Sequence, residues 1–256
     1  MPSQYLGVNS CKDNIIQKTT LTTSVILIYN INDRCGQKFI EYLRNGVTII
    51  YSKFHSLETE KQERIINAAL KEFARNGYDK ASTNEIVKEA EISKGSLFNY
   101  FNNKKELYLF LLDYVANIIE QIYAEVDWNE PDFFERIRQL GLIKFKVYKK
   151  FPHAFNFLKA LTHEDASEVK PANNKLKKDI VTSGLELGYQ NIDWTKFRDD
   201  FNREKMINII NWTMLSFSEE NLSKLDSIDD VGMEVLSESD EYFEILKRCF
   251  YKKGIK

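Results

Sequence analysis

One short stretch of the chain, residues 82–107, contains three separate helix starts. Ser82, with Glu85 three residues later, has the spacing of a capping box, in which the serine hydroxyl accepts a hydrogen bond from a backbone N–H of the first turn. Ser93 can cap a second helix after a short break, and Asn103 can start a third. Two short helices joined by a tight turn are typical of a helix-turn-helix, whose second helix can lie in the major groove of DNA.

The second of these helices, Lys94–Tyr100, is poorly suited to a buried position. Gly95, Ser96 and Asn99 are small or polar, whereas Leu97 can turn inward. A glycine inside so short a helix weakens it by about 1 kcal/mol relative to alanine. The composition therefore predicts a surface helix held close to another molecule.

Residues 92–105 contain no acidic residue, although 29% of the chain is charged. Lys104 and Lys105 lie in the first turn of the third helix, where a cation opposes the helix dipole. The free N–H groups at this end of a helix bind anions, so a DNA phosphate there would favour the lysines. We expect that removing the Lys104 charge leaves the free protein unchanged or slightly more stable. The alternative is an ordinary helical hairpin with solvated lysines.

Together with the helix before it, this stretch resembles the DNA-binding part of the tetracycline-repressor (TetR) family of bacterial transcription regulators. The resemblance covers about fifty residues, and the rest of the chain matches the family by length and helical character alone. It rests on an ordered set of apolar, small and capping residues: Ile65, Ile66, Ala69, Phe73–Tyr78, Ser82, Thr83, Ile86, Ala90, Ser93–Phe98, Tyr100, Phe101, Lys104 and Leu107.

The resemblance implies DNA contacts for particular residues. Those implied to face the major groove are Lys94, Gly95, Ser96 and Asn99. Those implied to contact phosphates are Thr83, Tyr100 and Lys104. Serine and asparagine side chains can bond base edges, and asparagine suits adenine best. Two alternatives stay open: Tyr100 packs partly in the core with a solvated hydroxyl, and Asn99 is exposed to solvent without a partner.

Two residues depart from the family pattern. Glu91 lies in the turn where the family usually has glycine, and a non-glycine residue in a left-handed conformation costs about 1 kcal/mol. We therefore expect either a different turn geometry or a strained turn. Phe98 stands where the family often has tyrosine, which removes one possible hydroxyl contact to DNA.

Composition excludes several other classes of protein. The net charge is −2, and residues 57–108 carry nine basic and nine acidic residues, so a DNA-binding surface must be a local patch. The three cysteines are far apart and odd in number, which suits a reducing cytoplasm rather than a disulfide framework. No spacing typical of a metal site, a phosphate-binding loop or a catalytic serine occurs, so we expect no cofactor, no metal and no enzymatic activity.

The N-terminal residues 1–46 show no persistent amphipathic period. Their apolar stretch, Val25–Ile31, is too short to span a membrane, and no signal-peptide cleavage pattern follows it. Members of the family usually begin a few residues before their first helix, so Val47 is a candidate for the true start. We expect residues 1–56 to be an extension of doubtful order, with 1–46 a possible start-site artefact, and a cytoplasmic protein that does not bind membranes.

Apolar residues recur at helical spacing through the remaining chain, and no alternating strand pattern is convincing after residue 56. The pattern predicts an all-α fold, with a three-helix DNA-binding domain at 57–106 and a helical ligand-binding and dimerisation domain at 107–256. Thr59 with Gln62 is a capping box for the first helix, and Pro131 suits the first position of a later one. The predicted helices lie at about 60–76, 94–100, 104–125, 131–150, 153–161, 169–187, 201–218 and 237–251.

Aromatic residues are frequent in the C-terminal part, where the family has a ligand pocket among its middle helices. The residues that would line such a pocket for a small apolar ligand are Phe145, Tyr148, Phe157, Leu161 and Trp212. His153 or His163 would add a polar group to it. The alternative for each aromatic residue is packing in an ordinary core.

The last two predicted helices carry apolar stripes, and the corresponding helices of the family form a four-helix dimer interface. The candidate interface residues are Ile210, Met214, Phe217, Phe243, Leu246 and Phe250. A dimer is needed to read a palindrome, because one helix-turn-helix covers one half-site. The alternative is that these stripes pack within one subunit.

These patterns are interpreted as those of a ligand-responsive transcriptional regulator, with repression favoured. It would bind a palindromic double-stranded DNA operator as a homodimer and respond to a small apolar ligand of unknown identity. The alternative is a TetR-like DNA-binding protein without a small-molecule inducer, controlled by a protein partner or acting in nucleoid organisation.

Overall fold

The computed structural model describes residues 51–223 and 233–254, and every regular element within these ranges is a helix. The predicted all-α fold is therefore confirmed, whereas the predicted extension up to residue 50 lies outside the described residues. The helices are α1 Ser52–His55, α2 Thr59–Lys80, α3 Thr83–Glu89, α4 Lys94–Tyr100, α5 Lys104–Glu125, α6 Phe133–Lys150, α7 Pro152–Ala160, α8 Lys170–Gly188, a short 3-10 helix Trp194–Lys196, α9 Arg203–Ser223 and α10 Met233–Phe250.

The described residues form two compact units. One unit ends at Ile192 and contains α1 to α8, and the other begins at Asp193 and contains the 3-10 helix, α9 and α10. The predicted boundary between residues 106 and 107 falls inside α5, and the assignment of a DNA-binding and a ligand-binding part on its two sides stays a prediction. Within the ranges that are described, no helix combines the length and the apolar character needed to cross a membrane.

The core of the first unit is an aromatic cluster that joins three helices. The ring of Phe73 on α2 lies 5.0 Å from that of Tyr108 on α5, and Tyr108 lies 5.2 Å from Phe157 on α7. All three side chains are buried. Each buried side chain of this size contributes about 1.5–3 kcal/mol through removal of apolar surface from water. Helix α2 is thereby fixed to both the long helix α5 and the short helix α7.

The two ends of α2 are formed differently from each other. At its C-terminal end Gly77 has φ 67° and ψ 175°, which breaks the helix directly after the predicted range of about 60–76. At its N-terminal end the predicted cap by Thr59 is wrong, because Glu58 is the capping residue and makes no side-chain cap bond. The amide of Gln62 instead donates back to the carbonyl of Leu57 at 2.7 Å, since that carbonyl precedes the helix and is within its reach.

The start of α6 is set by Asp132 rather than by Pro131. The buried Asp132 carboxylate accepts hydrogen bonds from the backbone N–H groups of Phe134 at 3.1 Å and Glu135 at 3.2 Å. A charged acceptor satisfies the free donors of the first turn and interacts well with the helix dipole. Pro131 therefore precedes the cap, and the prediction that it takes the first helical position is wrong.

One buried arginine connects the start of α6 to the end of α8. Arg136 is 2% exposed, and its guanidinium donates to the carbonyls of Leu187 at 3.2 Å and Gln190 at 2.5 Å. The same group donates to the carbonyls of Trp128 at 3.0 Å and of Glu130. Four carbonyls from two separate segments are thus satisfied by one side chain, which the sequence pattern did not indicate.

The second unit is closed by its own C-terminal residues. The backbone N–H of Arg198 donates to the carbonyl of Phe250, and that of Lys252 donates to the carbonyl of Lys196, both at 2.9 Å. These bonds flank an isolated antiparallel bridge between Phe197 and Tyr251, whose rings lie 4.7 Å apart. The end of α10 is therefore tied to the segment that precedes α9.

Candidate nucleic-acid interface

All three predicted helix caps of the 82–107 stretch are present. The side chain of Ser82 accepts a hydrogen bond from the N–H three residues later at 3.4 Å, that of Ser93 at 3.0 Å and that of Asn103 at 2.9 Å. A cap of this kind stabilises a helix by about 1 kcal/mol. Helices α3 and α4 are seven residues each, so these local bonds fix where the helix-turn-helix begins and ends.

In the turn between α3 and α4, Glu91 adopts the left-handed backbone conformation that glycine usually takes. Glu91 has φ 55°, its N–H donates to the carbonyl of Lys88 at 3.3 Å, and the N–H of Ile92 donates to that of Val87 at 3.0 Å. These two bonds make a Schellman motif, in which the left-handed position is normally glycine. Of the two expectations for Glu91, the strained turn is the one found.

The outer face of α4 has the exposure expected for a recognition helix. Leu97 is buried, whereas Lys94, Gly95 and Asn99 are exposed. A Cβ added at Gly95 would meet the Ser93 hydroxyl oxygen at 3.8 Å as its nearest neighbour, which is ordinary contact. The protein itself therefore has room for a side chain at residue 95, so a reason for glycine there must be sought outside the chain.

The other three residues predicted to contact DNA are less exposed. Ser96 is half-buried, with its hydroxyl oxygen 2.8 Å from that of Ser93. Tyr100 is half-buried with its ring 6.2 Å from Phe54, which matches the alternative of partial core packing. Thr83 is a half-buried residue at the first position of α3. Their contacts with DNA stay predictions.

Lys104 has a role in the free protein that the sequence pattern did not indicate. Its ammonium donates to three carbonyls at the end of α2, those of Tyr78 at 2.8 Å, Asp79 at 3.2 Å and Ala81 at 3.3 Å. It also lies 4.7 Å above the Tyr78 ring. These bonds count against the expectation that its removal leaves the free protein unchanged, because three acceptors would lose a charged donor. A phosphate contact by Lys104 stays a prediction.

Helix α1 corrects the expectation that residues 51–56 form an extension of doubtful order. Tyr51 and Phe54 are buried, and Phe54 is 0% exposed. The Phe54 ring lies 5.0 Å from the rings of both Phe101 and Phe110, at the end of α4 and in α5. The apolar spacing of Tyr51, Phe54 and Leu57 was a signal for this short helix, but four residues are too few to establish a period.

Helix α1 also brings a cation to α4. The Lys53 ammonium donates to the side-chain oxygen of Asn99 at 2.8 Å, and both side chains are exposed. This contact joins two residues 46 positions apart. No local sequence signal predicts it, because it depends on how α1 packs against α4.

The broken end of α2 is held by carboxylates from the loop between α7 and α8. The N–H of Tyr78 donates to Glu164 at 2.6 Å, and its hydroxyl donates to Glu168 at 2.7 Å. A Cβ at Gly77 would lie 3.2 Å from the Glu164 carboxylate, in addition to its left-handed φ. Glu164 lies in the segment His163–Asp165, whose composition resembles that of a catalytic cluster. Its role in the structure is to fix the C-terminal end of α2.

The predicted pocket residues are divided between the two compact units. Phe157 and Leu161 are buried in the first unit, where Phe157 belongs to the aromatic cluster with Tyr108. Phe145 and Tyr148 are half-buried on α6. Trp212 belongs to the second unit and is 61% exposed. For Phe157 this placement matches the alternative of core packing, and the pocket as a whole stays a prediction.

Sequence reasoning missed two partly buried titratable groups, one on α5 and one on α6. Burial raises the pKa of Asp113 on α5 to about 6, and it lowers the pKa of Lys144 on α6 to about 7. Each interrupts an otherwise apolar run, which was an available signal. Among the residues that the structure describes, no group of three or more histidine, cysteine or acidic side chains has a geometry that could hold a metal ion.

On the last two helices, the apolar residues that are exposed differ from those predicted to form the dimer interface. The predicted interface residues Ile210, Phe243, Leu246 and Phe250 are buried within the single chain, while Met214 and Phe217 are half-buried. Among the side chains of α9 and α10 that the structure describes, the large apolar ones that remain exposed are Ile209, Trp212, Tyr242 and Ile245. The helical periodicity located both apolar helices. It could not show which of their apolar residues are buried within the subunit and which remain exposed.

The family profile described as bacterial regulatory proteins, tetR family, matches residues 65–110. YuxN, an uncharacterized HTH-type transcriptional regulator of Bacillus subtilis, is 49% identical over 55 residues, which are 22% of this chain and 19% of YuxN. QacR, an HTH-type transcriptional regulator of Staphylococcus aureus, is 40% identical over 90 residues, 35% of this chain and 43% of QacR. The chain thus spans less than half the length of either relative.

Two further similarities extend beyond the helix-turn-helix. IcaR of Staphylococcus aureus, the negative transcriptional regulator of the biofilm operon icaADBC, is 23% identical over 165 residues, 62% of this chain and 86% of IcaR. The crystal structure of a TetR family transcriptional regulator from Chloroflexus aurantiacus matches with a TM-score of 0.62 at 21% identity, covering 79% of this chain and 98% of that one. The structural match shows a common fold.

Proposed function

From its membership of the TetR family of bacterial regulatory proteins, we propose that this chain is a cytoplasmic repressor that binds a palindromic DNA operator as a homodimer. The observation that carries the proposal is the geometry of α4, a capped seven-residue helix with Leu97 buried and Lys94, Gly95 and Asn99 exposed. The similarity of residues 65–110 to a family of regulators supports the expectation that the chain is not an enzyme.

The surface around α4 supports contact with a polyanion. Residues 92–105 carry no acid, and Lys53, Lys94 and Lys105 are all exposed there. Because the 57–108 segment is balanced in charge overall, specific binding depends on this local patch rather than on general attraction to DNA. Asn99 and Ser96 are the side chains proposed to meet base edges, and the exposed ammonium groups of Lys94 and Lys105 are proposed to contact phosphates.

The exposed apolar residues of α9 and α10 support dimerisation. Trp212 and Ile245 are 61% and 57% exposed, and Ile209 and Tyr242 are exposed on the same two helices. Two helices from each subunit can form a four-helix bundle across a two-fold axis. A two-fold dimer places two copies of α4 on successive half-sites of a palindrome.

The proposed response to a small ligand depends on the contacts at the end of α2. Glu164 and Glu168 hold Tyr78 from the loop after α7, and Lys104 at the start of α5 holds the same turn. A ligand that binds among α5, α6 and α7 shifts the protein only if it prefers one arrangement of these helices. A shift of α5 or of the Glu164 loop would be transmitted directly to the helix that supports the helix-turn-helix.

The function is tested with the full-length protein and sites selected from randomised duplex DNA. We expect selection of a palindrome, and we expect Asn99→Ala to weaken binding to it by about 1–3 kcal/mol while relaxing one base pair in each half-site. Asn156→Ala is the matched control, since Asn156 is exposed on α7. An equal loss on selected and random DNA would contradict a base-reading role for Asn99, and selection of no sequence would contradict the proposed function.

A further inference from the structure

The N-terminal helix α1 lies outside the part of the chain that matches the family profile, yet it is anchored to the proposed recognition helix. Tyr51 and Phe54 are buried beside Phe101, the residue that directly follows α4. The Tyr51 hydroxyl also donates to the carbonyl of Glu106 at 3.3 Å. Two aromatic anchors and a hydrogen bond therefore fix the position of α1 relative to α4.

Between these two anchors, Lys53 reaches the side chain of Asn99. Its ammonium is 2.8 Å from the Asn99 amide oxygen. An ammonium group only donates hydrogen bonds, so the oxygen must face it and the amide nitrogen is left for another partner. The bond thus determines which end of the Asn99 amide points away from Lys53.

This orientation changes what Asn99 can read. Asparagine pairs with adenine by donating to N7 and accepting from the N6 amino group at the same time. With Lys53 on one lone pair of the oxygen, the adenine amino group would have to share this acceptor with a cation, which weakens the adenine contact. Guanine presents two acceptors, N7 and O6, along the same edge. The N–H donors of the Asn99 amide nitrogen, which is left free by the Lys53 bond, match acceptors of this kind.

We propose that Lys53 is a positioning residue that changes the base read by Asn99 from adenine to guanine. The inference rests on the proposed function, in which α4 enters the major groove. It assigns a role in base selection to a residue that lies before the matched domain, and it makes specificity at one base pair a property of two side chains rather than one.

The test compares base preferences of full-length variants on duplexes selected from a randomised pool. The position of interest is the one whose preference Asn99→Ala relaxes. We expect guanine there for the wild type, and a shift of about tenfold towards adenine for Lys53→Met, in which the amide oxygen is released. Lys53→Arg keeps a donor and should retain guanine. On the Asn99→Ala background, Lys53→Met should leave the preference at this position unchanged.

Other outcomes overturn the inference in distinguishable ways. If Lys53→Met keeps the same base preference but weakens binding to all duplexes equally, with a shallower salt dependence, then Lys53 contacts a phosphate instead. Adenine at this position for the wild type would also overturn the inference. If the wild type selects no sequence, the proposed function fails before any variant is compared.

Two controls separate these outcomes from loss of charge or of folding. Lys159→Met removes the same charge from an exposed lysine on α7 and should leave base preference unchanged. The Lys53 side chain is exposed, so the denaturant midpoint of Lys53→Met should match that of the wild type. A lowered midpoint would indicate that α1 has detached, and the Lys53→Arg variant would then decide between positioning and folding.

Discussion

The contacts that fix the helix-turn-helix join residues close together in sequence, whereas contacts that fix the later helices join residues far apart in sequence. In α3, α4 and α5 the first turn is fixed by a side chain three residues before the N–H that it accepts. Helix α8 begins at Lys170 without a side-chain cap bond, and its far end is held by Arg136, 51 residues before Leu187. The first region is set mainly by near neighbours and the second by distant ones.

This difference indicates how each region responds to substitution. A lost cap costs about 1 kcal/mol and affects one helix end. A lost long-range donor leaves several buried acceptors without a partner and separates segments that have no local reason to stay together. We therefore expect changes in the C-terminal helices to affect stability and assembly most, and changes near the turn of the helix-turn-helix to be small.

The largest effect is expected for Arg136→Met, which removes the donor to four carbonyls. The free energy of unfolding should fall by about 3–5 kcal/mol, because the substitution removes a buried charged donor that ties two separate segments together. Arg64→Met is the control, since Arg64 is exposed and pairs with Glu60 within one helix. It should cost about 0.5 kcal/mol or less. Equal losses in denaturant titrations would break the distinction between the two regions.

The next effect concerns association rather than folding. Ile245→Glu places a charge on a residue that is 57% exposed in the single chain, so the subunit should fold normally. In a two-fold interface the substitution occurs twice, and the dimer should be weakened by about 3 kcal/mol or more. Sedimentation at micromolar concentration should show monomers that have lost operator affinity.

The control for this experiment is Asn156→Glu, which adds the same charge to an exposed residue of α7. It should remain dimeric, and circular dichroism should show intact helices for both variants. A monomeric wild-type protein under these conditions would remove the basis for a palindromic operator. A fully dimeric Ile245→Glu variant would place the interface elsewhere.

Lys104→Met should have an intermediate effect on the DNA-binding region. Because its ammonium is bonded to three carbonyls at the end of α2, we expect the free energy of unfolding to fall by about 1–3 kcal/mol. Lys105→Met removes the neighbouring exposed charge, and it should be neutral or slightly stabilising because the dipole clash disappears. No difference between the two variants would mean that the Lys104 bonds contribute nothing.

The smallest effect is expected at the strained turn. Glu91→Gly should raise the free energy of unfolding by about 0.5–1 kcal/mol, because Glu91 has φ 55° and glycine adopts that conformation without a side-chain clash. Glu91→Ala removes the charge but keeps the strain, so it should give no comparable gain. A gain of equal size for alanine would assign the effect to charge rather than to backbone conformation.

The elements that sequence predicted best are those specified by near neighbours. The bounds of α4 and α5 were predicted to the residue, because Ser93, Asn103 and the apolar spacing that follows them are local signals. The same holds for the helix break at Gly77 and for the inward position of Leu97.

Several contacts that sequence reasoning missed join residues far apart in the chain. Lys104 was interpreted as a phosphate ligand because its position at a helix start was visible, whereas the carbonyls of residues 78, 79 and 81 that surround it were not. Arg136 and Lys53 have partners about fifty positions away. The apolar stripes of α9 and α10 were predicted from their periodicity. Which side of each helix is buried depends on its packing against the rest of the subunit, and periodicity carries no information about that packing.

The anchoring of α1 limits how this domain can be transplanted. Chimeric regulators are built by joining the DNA-binding module of one protein to the sensing module of another, and the matched segment 65–110 would be the natural piece to transfer. That piece leaves behind Tyr51 and Phe54, which are buried against Phe101 and Phe110. A graft that begins at residue 65 would expose the rings of Phe101 and Phe110 to water. A graft that begins at residue 51 keeps the two aromatic residues that cover them, and it is therefore the segment to exchange.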